Sequence, residues 1–519
     1  MRKRDTATRA LVLVLGDQLD PASPLLETLD PERDRVAMAE VEDEIRRYPN
    51  HKQRVALFLS AMRHFRDDLR RQGISVRYQS IEDPDTASSI PEFLRTLLGT
   101  AVPERVRLLR PGRLDLEEEI RAVAAEADCP VEFVDDPHFL CSSEEFADWA
   151  GGRKRMVMEH FYRAQRKRLG VLMDGEEPAG GAWNFDSDNR ESFDSAPDDL
   201  VPPAEFPPDR VTTAVLELVE ERFSDLPGEL DSFNWPVTPE DAWSSVLDFI
   251  EHRLHRFGQF QDAMWVDEPT LYHSRISAAL NLKLVDPRRV VNEVEQAYRD
   301  GRVPINSAEG FIRQVIGWRE FIRGVYWLEM PALAEANELD AAQPLPELYW
   351  SADTSMTCMG QAVGQVLEHG YAHHIQRLMV TGLFALLYGA RPKEVHEWFM
   401  ATHVDSVEWV TLPNVVGMSQ YADGGIVGTK PYVASGKYIQ RQSNYCDECR
   451  FDPAQAYGDD ACPFTTLYWE FLDRHEEDLA DNRRMNFQLA NLRRKSDQDR
   501  IAIRERAEWV RTRAQAKEL

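Results

Sequence analysis

Four of the six cysteines in this 519-residue chain lie in its C-terminal half, in a pattern that suits metal ligation. Cys446 and Cys449 form a C-x-x-C pair, and such a turn points both thiolates at the same metal or cluster. Cys462 follows downstream, and Cys358 lies far upstream. A structural zinc site usually draws on two close pairs, so one pair with two scattered cysteines favours a [4Fe–4S] cluster. On spacing alone, a zinc site and four unrelated thiols remain alternatives.

The other two cysteines, Cys129 and Cys141, have no such neighbours and are expected to be ordinary thiols. Six cysteines in a chain of this length are too few for a disulfide scaffold. Because an intracellular protein is expected, the C-terminal cysteines are interpreted as metal ligands.

A second set of chemistry-bearing residues lies upstream, in the sequence Tyr-His-Ser-Arg-Ile-Ser at 272–277. Hydroxyls and an arginine ahead of a predicted helix suit a pyrophosphate, because free backbone N–H groups and the helix dipole attract an anion. An ordinary helix cap is the simpler alternative. The sequence Gly-Trp-Arg-Glu-Phe at 317–321 puts a tryptophan, an arginine and a carboxylate on one helical turn. A packed ring beside a surface ion pair would also explain that motif.

Two adjacent histidines, His373 and His374, lie in the sequence Gly-Tyr-Ala-His-His-Ile-Gln-Arg at 370–377. We place them in the middle of a predicted apolar helix, where neighbouring residues point about 100° apart. At least one imidazole is therefore expected to face a cavity, although a single core histidine is usually only structural. Trp350 and Trp398 add large rings on nearby segments, where they could carry electrons or simply fill the core.

The elements that must position these residues change character along the chain. Residues 1–135 alternate short apolar runs with amphipathic stretches, and this alternation predicts a doubly wound parallel sheet. The predicted strands are Ala10–Leu15, Arg35–Glu40, Ser75–Gln79, Arg105–Leu109 and Val131–Val134. The clearest helical pattern covers 51–71. Ligands bind beyond the carboxyl ends of such strands, here at the Gly-Asp-Gln-Leu of 16–19, and no G-x-G-x-x-G supports a dinucleotide.

The rest of the chain divides in two. Residues 136–240 are predicted to be a linker, because the stretch 171–240 is rich in Gly, Pro, Asp and Glu. Residues 241–519 show one helical pattern after another, with many aromatic residues and no strand alternation. The expected fold class is thus an α/β sheet domain followed by a mostly α-helical domain.

The chain is strongly acidic, with a net charge of −28 and only 10 Lys among its 61 basic residues. An acidic, lysine-poor surface suits a salt-rich cytoplasm, because salt screens the self-repulsion. The charge argues against a protein that coats DNA, but the arginines of 483–494 leave room for a local basic groove. No apolar stretch is long enough for a membrane helix, and the apolar run near the N-terminus is predicted to be a strand. A cytoplasmic monomer that contacts no membrane is expected.

Taken in order, the motifs at 272–277, 317–321 and 370–377 resemble those of the photolyase/cryptochrome superfamily. Its members have an α/β antenna domain, a linker and a helical flavin-binding domain. The placement of the four cysteines is similar to the prokaryotic iron–sulfur branch, whose studied members repair (6-4) pyrimidine photoproducts. Further segments that resemble this branch are LVLVLGDQL near the N-terminus, HKQRVALFLSAMRHF, WNFD at 183–186 and FGQFQDAM at 257–264. The resemblance covers essentially the whole chain.

The resemblance implies roles for individual residues. His374 would donate a proton to the lesion, and His373 would support it. The expected contacts of the flavin, FAD, are Ser274, Arg275, Ser277, Arg319, Asp405 and Thr411. The expected electron path runs through Trp350 and Trp398, and the expected cluster ligands are Cys358, Cys446, Cys449 and Cys462. The residues expected to face the lesion are Trp318, Met418, Tyr432 and Tyr438. The residues expected around the antenna, 6,7-dimethyl-8-ribityllumazine, are Asp17, Gln18, Glu40 and Glu44.

Two further positions, Leu378 and Thr411, bear on the proton donor and on the flavin. Leu378 stands where eukaryotic (6-4) photolyases carry another histidine four residues after the catalytic one, so His374 would act without that partner. Thr411 lies near the expected flavin N5, where it can form hydrogen bonds but cannot carry a charge.

The expected activity is light-driven repair of UV-damaged DNA, with (6-4) photoproducts favoured over cyclobutane dimers. A cryptochrome-type photoreceptor with the same cofactors and no repair activity is the alternative. A non-photochemical iron–sulfur protein that binds nucleic acid is a third reading, which the motifs at 272–277 and 317–321 disfavour. Asp186 and Asp262 are acidic candidates for an assisting Mg²⁺. The cluster is expected to brace the helical domain rather than take part in the chemistry.

Overall fold

The computed structural model describes residues 8–519, so residues 1–7 of the first predicted domain lie outside it. The N-terminal part is built on one parallel five-stranded sheet with the strand order β3-β2-β1-β4-β5. The strands are β1 (Ala10–Leu13), β2 (Asp34–Ala39), β3 (Val76–Gln79), β4 (Arg105–Leu109) and β5 (Val131–Val134). All five predicted strands are confirmed, with ends that differ by about two residues at most.

Helices cover both faces of this sheet, which confirms the doubly wound fold. They are α1 (Pro24–Glu27), α2 (Glu42–Arg46), α3 (Lys52–Arg71), α4 (Ile90–Thr100) and α5 (Leu114–Glu126). On one face, Leu13 of β1 belongs to the same core as Leu94 of α4 and Ile120 of α5. Its neighbour Val12 belongs to the core on the other face, with Leu59 of α3. Successive strand residues point to opposite faces, so an apolar run with both faces covered is buried throughout.

The stretch predicted as a linker, 136–240, holds short elements that attach to both domains. They are α6 (Ser143–Ala150), α7 (Met158–Leu169), a hairpin of β6 (Met173–Asp174) and β7 (Glu177–Pro178), and α8 (Arg210–Arg222). The backbone N–H of Phe185 donates to Glu309 at 3.1 Å, and Asp186 pairs with Arg313. The WNFD segment is thus fastened to the helical domain, while α8 packs against α3 of the sheet domain.

From residue 239 onward the chain is helical. The helices are α9 (Pro239–His252), α10 (Leu254–Phe260), α11 (Ser277–Asn281), α12 (Pro287–Arg299), α13 (Ile305–Ile312), α14 (Glu320–Glu329), α15 (Leu348–Ser351), α16 (Thr357–His369), α17 (His374–Gln376), α18 (Leu383–Tyr388), α19 (Pro392–Thr402), α20 (Glu408–Pro413), α21 (Gly436–Gln442), α22 (Pro463–Arg474), α23 (Asn486–Leu492) and α24 (Asp497–Gln515). Within residues 8–519, no helix combines the length and apolar character needed to cross a membrane.

Three stretches of this helical domain contain a π-helical turn, at Arg313–Arg319, Arg377–Gly382 and Asn414–Ser419. The first overlaps the Gly-Trp-Arg-Glu-Phe motif, the second begins at the last residue of the double-histidine motif, and the third contains Met418. Single π turns inside helices occur frequently at functional sites. The segments picked out from the sequence therefore also stand out in backbone geometry.

His51 and Gln53, at the start of α3, join the sheet domain to the helical domain. The Nδ1 of His51 accepts a hydrogen bond from the backbone N–H of Gln53 at 3.1 Å. The His51 Nε2 therefore carries the proton, and it donates to the carbonyl of Leu367 in α16 at 2.8 Å. The amide of Gln53 donates to the next carbonyl, that of Glu368, at 2.9 Å. These bonds fix the C-terminal end of α16, which leads directly into the double-histidine segment.

Candidate functional site

The two adjacent histidines lie at the start of a helix and not, as predicted, in the middle of one. Gly370 ends α16 in a left-handed conformation with φ of 62°, and a Cβ there would lie 2.6 Å from Val404. The chain then leaves the helix, His373 caps α17, and His374 is its first residue. The glycine that opens the motif therefore breaks the predicted helix.

The two histidine side chains have different surroundings, as expected for neighbours. His373 is buried, whereas His374 is exposed to solvent. Nevertheless, the surrounding protein, which removes much of its hydration, and the charge of Arg377 lower the pKa of His374 to about 4. A side chain that is solvent-accessible and yet desolvated lies in a recess. His374 thus lines a recess of the helical domain, where a bound molecule can reach it.

His373 stacks on a third histidine, His273, which directly precedes Ser274. The ring centroids lie 4.4 Å apart, and the ring planes differ by 10°. In the described chain, neither nitrogen of His373 nor the Nε2 of His273 has a hydrogen-bond partner. Burial lowers the pKa of both rings, that of His273 to about 3, so both are neutral at pH 7. Buried polar atoms without partners are rare, so these nitrogens indicate a place where a further group binds.

Arg377 forms a bidentate ion pair with Asp405. Its Nη1 and Nη2 donate to the two carboxylate oxygens at 2.9 and 3.0 Å. The hydroxyl of Ser277 donates to the same carboxylate at 2.6 Å. Burial alone would raise the pKa of Asp405, but Arg377 and Ser277 outweigh it, and the pKa is lowered. The charged carboxylate therefore holds the end of the double-histidine motif against the Ser-Arg-Ile-Ser segment.

Arg275 has an unusual backbone conformation for an arginine, with a positive φ of 57°. Its guanidinium lies 4.2 Å from the centre of the Trp235 ring and donates to Asn234 at 3.0 Å. No carboxylate within the described chain pairs with it, and its neighbour Ser274 contributes no side-chain hydrogen bond there. The helix that follows, Ser277–Asn281, has only 5 residues, so its dipole adds little. An anion at this place would depend on the guanidinium and the hydroxyls.

Trp398 is fully buried and connects this site to Trp350, which is partly exposed. Its Nε1 donates to the carbonyl of Tyr349 at 2.8 Å, and the two ring centroids lie 5.0 Å apart. Trp350 follows Tyr349 directly in the chain. On the inner side, the ring of Trp398 lies 5.4 Å from that of His403, two residues before Asp405. Aromatic side chains thus extend from the ion pair towards solvent.

The four C-terminal cysteines line one cavity. Gly436 lines it too, and a Cβ at this position would lie 2.7 Å from the sulfur of Cys462. Burial raises the pKa of Cys446 to about 12 and that of Cys462 to about 11, so the free thiols are protonated at pH 7. Among residues 8–519, no three His, Cys, Asp or Glu side chains are grouped as they would be around one metal ion. The sulfurs surround a space rather than a single point.

Gln376 links this cavity to the histidines. Its Nε2 donates to the hydroxyl of Tyr445 at 3.1 Å, and Tyr445 lines the cysteine cavity. Its Oε1 accepts a hydrogen bond from the backbone N–H of His373 at 3.2 Å. Gln365 of α16 donates to the same Oε1 at 3.1 Å and to the carbonyl of Tyr371 at 3.0 Å. Gln376 and Tyr445 are both buried, so the network is shielded from water.

The chain is 45% identical over 499 residues to the (6-4) photolyase of Agrobacterium fabrum (strain C58 / ATCC 33970), covering 96% of this chain and 98% of that protein. The chain belongs to the photolyase/cryptochrome family. The family described as "Deoxyribodipyrimidine photo-lyase-related protein" matches residues 12–235.

Two solved structures of the photolyase/cryptochrome family resemble the whole fold. A bacterial class III photolyase from Agrobacterium tumefaciens has a TM-score of 0.57 at 16% identity, over 85% of this chain and 88% of that one. The cryptochrome of Synechocystis sp. PCC6803 has a TM-score of 0.53 at 14% identity, over 85% of this chain and 89% of that one. At such identities these structures support the fold alone. They agree with the sheet domain and helical domain described above.

In this photolyase-family chain, two of the four predicted antenna residues are engaged within the sheet domain. Gln18 donates to the carbonyl of Leu109 at 3.1 Å. Both oxygens of Glu40 accept from Arg63, at 2.7 and 2.9 Å, and the hydroxyl of Tyr78 donates to Glu40 at 2.6 Å. These contacts tie the strand ends together. Few polar atoms of Gln18 and Glu40 are therefore left for a ligand.

The other two predicted antenna residues, Asp17 and Glu44, are partly exposed at the carboxyl edge of the sheet. Glu44 pairs with Arg113 at 3.2 Å. Gly112 lies beside Asp17, where a Cβ would approach the Asp17 carboxylate and the Trp409 ring to 3.0 Å each. This edge of the sheet therefore meets α20 of the helical domain.

Of the two predicted residues in the Gly-Trp-Arg-Glu-Phe motif, Arg319 contacts a distant part of the chain and Trp318 packs within its own helix. Arg319 donates to the carbonyl of His138 at 2.9 Å, and its guanidinium lies 4.4 Å from the centre of the Phe139 ring. Trp318 meets Phe321 edge-on at 6.1 Å. Arg319 thus fastens α14 to the chain that leaves the sheet. Their predicted contacts with FAD and with the lesion stay predictions.

The remaining predicted residues lie on two segments near α20 and α21. Met418 and Thr411 are buried, whereas Tyr432 and Tyr438 are partly buried. Burial and the charge of Asp262 raise the pKa of Tyr438. Burial also raises the pKa of Asp262 itself, to about 6.

Sequence reasoning missed two residues of this site. His273 lies in the motif at 272–277 and Arg377 in the motif at 370–377, but the sequence alone assigns neither a role. A histidine directly before Ser274, and an arginine at the end of an otherwise apolar segment, were the signals available. Their partners, His373 and Asp405, are distant in sequence, so the contacts could not be read from spacing.

Proposed function

We propose that this protein uses light to repair UV-damaged DNA, with the (6-4) pyrimidine photoproduct as its favoured substrate. The observation that carries the proposal is His374, exposed in a recess beside Arg377 in a chain 45% identical to a (6-4) photolyase over nearly its whole length. Histidine is the side chain best able to exchange a proton near neutral pH, and a lesion flipped from the duplex needs such a recess.

The residues around this recess fit FAD. Arg275 has no carboxylate partner in the described chain, and with the hydroxyls of Ser274 and Ser277 it would hold the diphosphate. The unpartnered nitrogens of His273 and His373 are polar atoms that a ligand of this kind, or water ordered beside it, would satisfy. When bound and reduced, FAD supplies the light-excited electron that opens the lesion.

The chain contributes the proton and the geometry. With its pKa lowered to about 4, His374 is neutral at pH 7 until an anion comes near. A DNA phosphate next to the imidazole raises its pKa, so substrate binding favours the protonated ring that can donate. Arg377, held by Asp405, keeps a fixed positive charge behind the histidine. Burial and this cation together limit protonation of His374 to the state in which substrate is present.

The four cysteines fit a [4Fe–4S] cluster better than zinc. Four thiolates on one zinc ion, each about 2.3 Å from it, would bring the sulfurs to about 3.8 Å from one another. The cysteine side chains are not grouped in that way in the described chain, and they line a cavity instead. The cluster would be held by Cys358, Cys446, Cys449 and Cys462. We assign it a bracing role, because Cys358 at the start of α16 and Cys462 at the start of α22 would both hold it.

A ribityllumazine antenna and Mg²⁺ complete the proposal. Asp17 and Glu44 are the residues with polar atoms free to meet an antenna at the edge of the sheet. Asp262 is the better magnesium candidate, since it has no hydrogen-bond partner in the described chain whereas Asp186 pairs with Arg313. Both ligands are expected beside the recess rather than within the proton path.

Repair of defined oligonucleotides tests the proposal. The purified protein with reduced flavin is incubated with a duplex that carries one (6-4) photoproduct, or one cyclobutane dimer, in blue light and in darkness. We expect light-dependent restoration of the (6-4) duplex and much slower restoration of the dimer. Flavin photoreduction without restoration of either duplex would contradict repair. It would favour the photoreceptor alternative, since the chain is also similar in fold to the Synechocystis cryptochrome.

A further inference from the structure

Phe487 is the most exposed large apolar side chain among residues 8–519. It lies in the second position of α23, and its side chain is 75% exposed. The neighbours Leu489 and Leu492 of the same helix are buried, so the helix is anchored and presents Phe487 outward. A single exposed aromatic ring is common on protein surfaces, but this ring lies beside cations that have no acidic partner.

The residues next to Phe487 are cations without acidic partners. Arg483 and Arg484 lie about one helical turn before it, and both are exposed. Neither forms an ion pair with any carboxylate in the part of the chain that the structure describes, in contrast to Arg493, which pairs with Glu476 at 2.7 Å. In a protein with a net charge of −28, carboxylates are plentiful, so the absence of pairing here is a local property.

A third cation, Lys430, comes from a distant part of the sequence and lies beside Arg483 and Arg484. Arg484 donates to the hydroxyl of Thr429 at 2.6 Å, and Thr429 directly precedes Lys430. Lys430 is also without an acidic partner among the described residues, and burial and the charge of Arg484 lower its pKa. Like charges held this close repel one another, and a bound polyanion would relieve the repulsion.

These three cations adjoin the segment around Tyr432, which is expected to face the lesion. Asn482 donates to the carbonyl of Thr429 at 3.2 Å, so the start of the α23 region is fastened beside 429–432. Tyr432 lies two residues after Lys430 on the same segment. A strand of DNA that enters at Tyr432 would therefore pass over these cations.

We propose that Lys430, Arg483, Arg484 and Phe487 form a docking surface for the duplex that flanks the lesion, with phosphates on the cations and the ring against a base or sugar. This inference rests on the proposed function, and it names the residues that hold the substrate outside the recess. Cations unpaired in an acidic chain give the phosphate contacts, and an exposed aromatic ring gives a stacking contact tolerant of sequence.

Salt-dependent binding in darkness tests the surface separately from repair. Fluorescence anisotropy measures the dissociation constant of a duplex with one (6-4) photoproduct between about 50 and 200 mM salt. In the double variant Arg483→Gln/Arg484→Gln, we expect the slope of log affinity against log salt to fall in magnitude by about 2, because each lost phosphate contact removes about one released ion. In Phe487→Ala, we expect about tenfold weaker binding with an unchanged slope.

The matched control is Arg95→Gln, which removes an exposed positive charge from α4 of the sheet domain. It should leave the slope at the wild-type value.

A double variant whose slope equals that of Arg95→Gln would overturn the proposal. So would sedimentation data in which Phe487→Ala abolishes self-association and leaves DNA affinity intact, because a second copy of the chain would then cover the ring. If the slopes change as expected but no lesion is repaired in light, the surface stands and the repair function falls.

Discussion

The side-chain amide of Gln376 donates a hydrogen bond of 3.1 Å to the hydroxyl of Tyr445. Tyr445 directly precedes Cys446 and lines the cysteine cavity, while Gln376 accepts a hydrogen bond from the backbone of His373. One buried amide therefore connects the proposed cluster site to the segment that presents His374. Through it, a cluster that performs no chemistry can still affect repair.

Tyr445→Phe removes only the hydroxyl that receives this bond. We expect the variant to keep its iron and its flavin and to repair about fivefold more slowly, because a buried hydrogen bond contributes about 1 kcal/mol and its loss frees Gln376 to move. Single-turnover repair of a (6-4) duplex measures the rate, and iron analysis measures the cluster. Tyr468→Phe is the control, since the hydroxyl of Tyr468 in α22 has no hydrogen-bond partner in the described chain. Equal rates for the two variants would show that the bond does not position the histidine.

Asp405→Asn breaks the ion pair with Arg377 without changing the size of the side chain. The variant leaves a guanidinium uncompensated in a largely buried place, so we expect the free energy of unfolding to fall by about 3 kcal/mol. Flavin content should fall as well, because the same carboxylate holds Ser277. Urea denaturation and flavin absorbance measure the two effects. Glu126→Gln, which breaks the exposed pair with Arg95, should change stability by no more than about 0.5 kcal/mol.

Cys358→Ala removes one proposed cluster ligand at the start of α16. We expect purified protein to lose most of its iron and the broad visible absorption of the cluster, because three thiolates hold a [4Fe–4S] cluster poorly. Cys129→Ala, in the sheet domain, is the control and should keep both. The diagnostic quantity is iron per chain, with about four expected in the wild-type protein. One zinc and no iron in the wild-type protein would exclude the cluster.

Stability should fall on mild acidification. Burial lowers the pKa of His51 to about 4 and the pKa values of His273 and His396 to about 3. The unfolded chain takes up protons on these residues near pH 6.5 while the folded chain does not, so their stabilising contribution is present above pH 6.5 and is lost towards pH 3 to 4. Together the three histidines should reduce the free energy of unfolding by about 3 kcal/mol between pH 6.5 and 5.5. Chemical denaturation at both pH values measures the change, and equal stabilities would contradict it.

The sheet domain was predictable because its central strand is buried on both faces. A central parallel strand of this kind is apolar throughout, so the run Ala10–Leu13 stands out without knowledge of its neighbours. The helix α3 was equally clear, since one side of it packs on the sheet and the other carries polar residues. These signals are local, and local signals are what a single sequence contains.

The candidate site was only partly predictable, because its decisive contacts join distant segments. The helix predicted across the double histidine is locally reasonable, but Gly370 adopts a left-handed conformation packed closely against Val404. Likewise, nothing in the sequence pairs Glu40 with Arg63 or stacks His273 on His373. The residue types indicated a flavin and cluster protein, whereas the tertiary fold decides which polar atoms remain free for ligands.

The most direct test of the account is single-turnover, light-driven repair of a (6-4) duplex by His374→Ala. Flavin and iron are quantified in the same sample, and His252→Ala, on the exposed side of α9, serves as the control. Removing a positioned general acid typically costs a factor of about 100 or more. We therefore expect repair to fall at least about 100-fold in His374→Ala, with flavin, iron and the control unaffected. Repair within about twofold of wild type would mean that His374 is not the proton donor, and the central claim would be wrong.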